Sequence, residues 1–374
     1  MNERWIAERM KSIEVSGIRK VFDLAAHLKD PVNLSIGQPH FPVPTAIKEA
    51  AKAAIDGDKN GYTVTQGIPE LRAKILADVR KKYPTKADRE LFLTSGTSGG
   101  LVLALTCTLN PGDEVIIFDP YFVMYPHFIT MAGGKTIVVD TYPDFRIDVA
   151  KVKAAITPKT KAIIANSPGN PTGVVHERNV LRDLALLARE RDILLLSDEV
   201  YQAFCYDESF ATPLEFNDDT LVLDGFSKAY GMTGWRLGYC HGPRRLIEEM
   251  IKLQQFTYVC APSIVQFAGV AAWDYDVTPI VADYKRKRDR LVQALKDHYE
   301  LVAPGGACYL FPKAPWGTGS EFVAEAIRSN LLIIPGNTFS KRDTHFRISY
   351  AVNDQTLDRG IEILRKLASK PLSV

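Results

Sequence analysis

The stretch Leu221-Val222-Leu223-Asp224-Gly225-Phe226-Ser227-Lys228-Ala229-Tyr230-Gly231-Met232-Thr233-Gly234-Trp235-Arg236 decides the fold, because an apolar run hands a lysine directly to a turn rich in glycine. A lone lysine is ordinarily solvated or ion-paired, so the weight falls on its surroundings. Four more apolar runs end in the same way. Leu91-Phe92-Leu93 leads into Thr94-Ser95-Gly96-Thr97-Ser98-Gly99-Gly100, and Val115-Ile116-Ile117-Phe118 into Asp119-Pro120-Tyr121-Phe122. Ala162-Ile163-Ile164-Ala165 precedes Asn166-Ser167-Pro168-Gly169-Asn170-Pro171-Thr172-Gly173, and Ile193-Leu194-Leu195-Leu196 precedes Ser197-Asp198-Glu199-Val200-Tyr201. Short continuous apolar runs separated by helical patterns read as strands of a parallel sheet covered on both faces. Ligands of open α/β sheets lie beyond the carboxyl ends of the strands, so these polar segments point into one crevice.

The helical patterns lie between the runs: Pro69 to Tyr83, Gly99 to Leu109, Glu177 to Arg191 and Arg244 to Thr257. The alternation ends near Tyr275. A long charged helix leading to Leu301, short strands around Cys308–Phe311 and His345–Ser349, and a last helix from about Asp354 predict a smaller α+β domain. The arm before the Pro-rich stretch Gly37-Gln38-Pro39-His40-Phe41-Pro42-Val43-Pro44 has no strand–helix repeat and is expected to join it. The predicted division is a large α/β domain over 46–275 and a discontinuous small domain of 1–45 plus 276–374. A chain of 374 residues exceeds what one core usually supports.

Charge and composition exclude several functions. Lys and Arg (46) nearly balance Asp and Glu (44), which leaves no electrostatic footprint for nucleic acid or an anionic membrane. The basic cluster Lys285-Arg286-Lys287-Arg288 is expected to be a solvated helix face. The seven histidines form no ligand spacing, so no metal is expected. Five dispersed cysteines and the absence of a long apolar segment predict a soluble protein of the cytoplasm.

The polar segments suit pyridoxal 5'-phosphate. Lys228 can hold its carbonyl carbon as an imine. The Asp198 carboxylate favours a protonated pyridine nitrogen, while Tyr201 and Asn170 can donate to the phenolic oxygen. Gly96 and Thr97, at a strand-to-helix turn, supply N–H and hydroxyl donors to phosphate, and Arg236 adds a bidentate guanidinium. Phe122 either stacks on the ring or belongs to the core.

With these residues in place, the chain resembles the class I/II aminotransferases, pyridoxal-phosphate enzymes of fold type I. The motifs are Asn166 to Gly173, Asp198-Glu199-Val200-Tyr201, Ser227-Lys228 with Met232 to Gly238, and His345-Phe346-Arg347-Ile348-Ser349-Tyr350, in the family's order. The resemblance implies a mostly parallel seven-stranded sheet flanked by helices. It implies that Lys228 forms the imine and shuttles the proton, that Asp198 pairs with the ring nitrogen, and that Asn170 and Tyr201 bond the phenolic oxygen. Gly96, Thr97 and Arg236 would hold the phosphate, Phe122 would stack, and Arg347 with Gly37 would clamp the substrate carboxylate. Tyr62 resembles the tyrosine that reaches the partner's phosphate, which implies a homodimer with shared active sites.

Two positions depart from the family pattern: Gly225 stands where a phosphate-binding serine is common, and Cys308 where an aromatic is common. The expected reaction is amino transfer from an L-amino acid to a 2-oxo acid, such as 2-oxoglutarate, in a ping-pong sequence. The alternative on the same cofactor is a carbon–sulfur β-lyase. Donor preference is open between aspartate-type and aromatic or neutral amino acids, with Tyr125, Tyr258 and Tyr309 as candidates for contacting an aromatic side chain.

Overall fold

The computed structural model describes residues 3–15, 17, 21, 28–83, 88–207 and 209–369. After a short strand β1 (Val32–Asn33), seven strands form one sheet: β2 (Arg89–Thr94), β3 (Glu114–Asp119), β4 (Lys135–Asp140), β5 (Thr160–Asn166), β6 (Leu194–Asp198), β7 (Leu221–Gly225) and β8 (Gly238–Pro243). Their order is β2-β8-β7-β6-β5-β3-β4. Only β8 runs against the rest, pairing antiparallel with both β2 and β7. The other six share a direction, so all five predicted strand ends open on one edge.

Successive side chains of a strand point to opposite faces, and both faces here are apolar. Ile117, Ile164 and Leu196 pack with Leu101 and Leu105 on one face, while Ile116, Ile163 and Leu195 pack with Leu184 and Ala188 on the other. The helices of this part are α1 (Thr45–Asp56), α2 (Pro69–Lys82), α3 (Gly96–Thr108), α4 (Met124–Met131), α5 (Val149–Ala155), α6 (Arg178–Glu190), α7 (Arg244–Gln255) and α8 (Ser263–Trp273). The expected start of α3 at Gly99 is corrected to Gly96. That residue adopts φ +69°, the left-handed conformation glycine tolerates, and so turns the strand into the helix without an intervening loop.

Helix α9 (Thr278–Leu295) leads to β9 (Tyr309–Leu310), helix α10 (Gly319–Arg328), β10 (Leu331–Leu332), β11 (Ile334–Pro335), β12 (Phe346–Ser349) and helix α11 (Asp354–Ala368). Strands β11, β12 and β9 form a small antiparallel sheet, and β1 pairs in parallel with β10. The N-terminal strand is thereby joined to C-terminal elements, and Val32 and Leu34 share a core with Leu331, Phe346 and Leu357.

The solvated reading of the basic cluster is overturned. Lys287 is 2% exposed and Arg288 6%. Four consecutive residues span a full helical turn, so they cannot all face solvent. Tyr284, Lys287, Arg288, Leu291 and Leu295 form the inward stripe of α9.

Candidate active site

A cleft of about 320 Å³ opens at the carboxyl edge of the sheet. It is lined by Gly37, Thr97, Phe122, Asn170, Asp198, Tyr201, Lys228, Arg236 and Arg347, so nine of the eleven predicted residues converge there. Gly96 lies directly beneath, since a Cβ built on it would sit 2.6 Å from Arg236 Nη2. Tyr62 is 87% exposed and does not line the cleft of its own chain.

At one end of the cleft, α3 begins without a side-chain cap. Its first N–H groups and positive dipole end therefore face the opening. Thr97 Oγ1 is buried with no hydrogen-bond partner. Arg236, itself left-handed at φ +57°, donates from Nη1 to Thr233 O at 3.0 Å. No carboxylate pairs with it among the described residues. Gly225 is accommodated by this arrangement: a Cβ there would lie 2.9 Å from Thr97 Oγ1 and 3.1 Å from Gly238 Cα. A serine at 225 would displace Thr97, so the missing side chain and the threonine belong together.

In the middle, Asp198 ends β6 at 4% exposure. Its Oδ2 accepts from Tyr125 O–H at 2.6 Å and its Oδ1 from Val200 N–H at 3.3 Å. Burial outweighs these bonds and the nearby charge of Lys228, and raises its pKa. Asn166 donates from Nδ2 to Asp198 O at 2.9 Å and accepts the Asn170 N–H at 2.9 Å, tying the ends of β5 and β6 to the loop that carries Asn170. The Tyr201 hydroxyl meets that of Tyr309 at 2.8 Å.

Lys228 lies partly open to the cleft, donating from Nζ to Gly37 O at 2.6 Å, with Nζ 5.6 Å from the centroid of the Tyr201 ring. Burial depresses its pKa first, with Arg347 and Arg236 adding to the effect and Cys308 and Asp198 opposing it. The neutral, nucleophilic amine is thus favoured relative to an exposed lysine.

Arg347 on β12 is 1% exposed. Its Nη1 donates to Asn170 Oδ1 at 3.0 Å and its Nη2 to Ser35 O at 2.7 Å, while Nε has no partner. The guanidinium carbon stands 4.5 Å from the Tyr309 ring and 4.7 Å from Phe339. No acid neutralises it among the described residues. A buried cation standing over two rings with an N–H unspent has the chemistry to receive an anion.

Sequence reasoning missed Ser35, Asn166 and the role of Tyr125. Tyr125 is spent on Asp198, and Tyr258 is 42% exposed outside the cleft; of the three tyrosines expected near an aromatic substrate, only Tyr309 lines it. Its position next to Cys308 in the Gly305–Tyr309 turn was the available signal. Cys308 is buried, and burial pushes its thiol pKa up.

These features fit a planar phosphorylated aldehyde. An uncapped helix start, an orphaned buried hydroxyl and an unpaired guanidinium lie at one end, a buried carboxylate in the middle, and a primary amine beside them.

Residues 29–364 match the family described as aminotransferase class I and II. The chain is 37% identical to a probable aspartate aminotransferase of Methanocaldococcus jannaschii, over 97% of this chain and 99% of that protein. It is 34% identical to aromatic-amino-acid aminotransferase 2 of Thermococcus litoralis, over 97% and 98%. The solved structure of Thermus thermophilus aspartate aminotransferase with maleate superposes with a TM-score of 0.91 at 32% identity, covering 97% of this chain and 99% of that one.

Proposed function

Since the chain belongs to the class I and II aminotransferases, we propose a role for each residue of the cleft and a substrate class for the reaction. The protein is a pyridoxal-phosphate-dependent aminotransferase of fold type I. The cofactor, when bound, supplies the carbonyl that receives the amino group and the electron sink that stabilises charge at the substrate Cα.

The protein residues do the rest. Lys228 holds the cofactor by its amine, then takes the proton from the substrate Cα and returns it on the other side of the transfer. Asp198 keeps the ring nitrogen protonated; a cation there reverses the pKa rise that burial imposes on the carboxylate. Tyr201 and Asn170 donate to the phenolic oxygen, Phe122 packs on the ring, and Gly96, Thr97 and Arg236 hold the phosphate. Arg347 grips the substrate α-carboxylate, aided by Gly37. The observation that carries this reading is the shared cleft of an amine and an anion receptor, Lys228 and Arg347, neither of which is neutralised by a carboxylate among the described residues.

The proposed donors are aspartate and, second, aromatic amino acids, with 2-oxoglutarate as acceptor. The names of the M. jannaschii and T. litoralis relatives support the two donor classes. Amino transfer is preferred over β-elimination because these relatives are named aminotransferases. We further propose a homodimer in which the exposed Tyr62 reaches the partner's phosphate, a large domain of 46–275 and a small domain of 1–45 plus 276–374. Among the described residues no helix is long and apolar enough to cross a membrane, and the dispersed cysteines support a cytoplasmic location.

Absorbance tests the reading. The purified protein with pyridoxal phosphate should show a visible band that single additions of aspartate or phenylalanine convert to a near-ultraviolet form without any oxo acid. Absence of the band in wild type, or its persistence in Lys228→Ala, would refute the assignment.

A further inference from the structure

Gly37 O receives the Lys228 amine, yet the loop that carries it is weakly tied by its own backbone. Among the described residues, no backbone–backbone hydrogen bond involves residues 36–43. The polar ties to α9 come from the residue three positions on, whose backbone N–H bonds the Tyr284 hydroxyl and whose ring makes two further contacts. His40 Nε2 lies 2.9 Å from Lys287 Nζ, and His40 Nδ1 lies 3.3 Å from Tyr284 O–H. Both partners project inward from α9, and Lys287 is 2% exposed. Phe41 follows with an edge-on contact to the Tyr284 ring at 6.1 Å.

The geometry dictates the proton inventory. Lys287 also pairs with Asp283 Oδ2 at 2.7 Å, so its ammonium is the donor and His40 Nε2 must accept. The single N–H of a neutral imidazole is then on Nδ1, directed at Tyr284. A second proton on His40 would set N–H against ammonium. Asp283 Oδ2, 3.9 Å from Nε2, and the more distant Asp354 are the acids facing the ring, and they soften this repulsion without supplying the missing acceptor.

We propose that His40 and Lys287 form the anchor that holds the Gly37–Pro44 loop over Lys228, making Lys287 a positioning residue for the catalytic amine, and that the anchor opens when His40 takes up a proton. This rests on the assignment of Lys228 as the cofactor-holding amine. His40 is itself an exposed residue whose ring is partly covered; that partial burial and then Lys287 hold its pKa below the usual 6.5, with Asp283 and Asp354 opposing. The anchor is therefore closed at neutral pH and is lost as pH falls through that lowered value.

Two substitutions and two readouts test it. In Lys287→Met, the His40 imidazole, followed by NMR, should titrate at higher pH than in wild type, because the ammonium is gone and Asp283 remains. The pH midpoint of the visible cofactor band should also shift, and kcat/KM should fall on the order of tenfold, the effect of losing one hydrogen bond to a charged group. In His40→Asp, a carboxylate accepts from Lys287 to much lower pH, so the acid limb of the kcat/KM profile should move down by about two pH units. If Lys287→Met changes neither the His40 titration nor the band midpoint, the anchor is overturned while the role of Lys228 stands. A visible band retained in Lys228→Ala overturns instead the assignment on which the anchor rests.

Discussion

Replacing Arg347 by lysine keeps the charge and removes the fork, which makes the consequence calculable. The guanidinium carries five N–H donors. One goes to Asn170 Oδ1 at 3.0 Å and one to Ser35 O at 2.7 Å, leaving three, including the unpartnered Nε–H, for a substrate carboxylate. An ammonium has three donors, so satisfying the same two acceptors leaves one. At least one charge-assisted bond of a bidentate pair is lost, about 1.5–3 kcal/mol, or roughly 10- to 150-fold in kcat/KM for an amino acid. The assay compares an amino acid donor with the primary amine that lacks its carboxylate. The loss should be confined to the amino acid, and the visible band of the resting enzyme should persist. An equal loss for both donors would mean that Arg347 only supports the packing of Tyr309 and Phe339, and the clamp would be wrong.

Three further outcomes follow from specific contacts. Gly96→Ala forces a side chain into the left-handed region at φ +69°, with Cβ 2.6 Å from Arg236 Nη2; a backbone cost of about 1–2 kcal/mol should accompany a cofactor Kd raised tenfold or more, about the effect of losing one hydrogen bond to a charged group. Gly112→Ala, strained alike at φ +89° but meeting nothing within 4 Å, should carry the backbone cost and leave the cofactor Kd unchanged, and equal effects of the two on Kd would discard the cradle. Glu199 is buried, accepts from Ser197 Oγ at 2.8 Å and from Thr212, and has its pKa pushed up to about 8. Its folded pKa exceeds the unfolded value of about 4.3, so the folded state keeps a proton that the unfolded chain releases, and stability falls as pH rises through that window. Glu199→Gln should therefore be more stable than wild type at pH 8 by a few kcal/mol and no different at pH 4; urea titrations showing the same pH slope for both proteins would contradict this. If Tyr62 serves the partner's phosphate, Tyr62→Phe should weaken cofactor retention about tenfold or more, and sedimentation should give a dimer; a monomer with full cofactor affinity would exclude the shared site.

Much of the site was legible because strand ends are legible. Apolar runs such as Ile193–Leu196 and Leu221–Leu223 stop where polar residues begin, and a parallel sheet brings such stops to one edge. Strand β8 was hidden for the opposite reason. Gly238-Tyr239-Cys240-His241-Gly242-Pro243 lacks the apolar run of a central strand, and its place between β2 and β7 comes from backbone pairing with them. The burial of Lys287 and Arg288 was equally hidden. Basic residues in a row look solvated until the helix is set against His40, Asp207 and the Pro304 carbonyl, which together with Asp283 of the same helix satisfy them.

Arg347 was marked only by the resemblance to the family; the sequence by itself determined the alternating α/β architecture, the edge at which the ligand segments gather, and Lys228 and Asp198 as candidate groups at strand ends. These follow from residue type and period, which are local. Only the tertiary structure decided that Asn170 is held by Asn166 and Arg347 together, that Tyr125 rather than solvent meets Asp198, that Thr97 requires a glycine at 225, and that His40 reaches α9. Each joins side chains distant in the chain, and neither composition nor periodicity carries information on which donor will meet which acceptor once the backbone has closed.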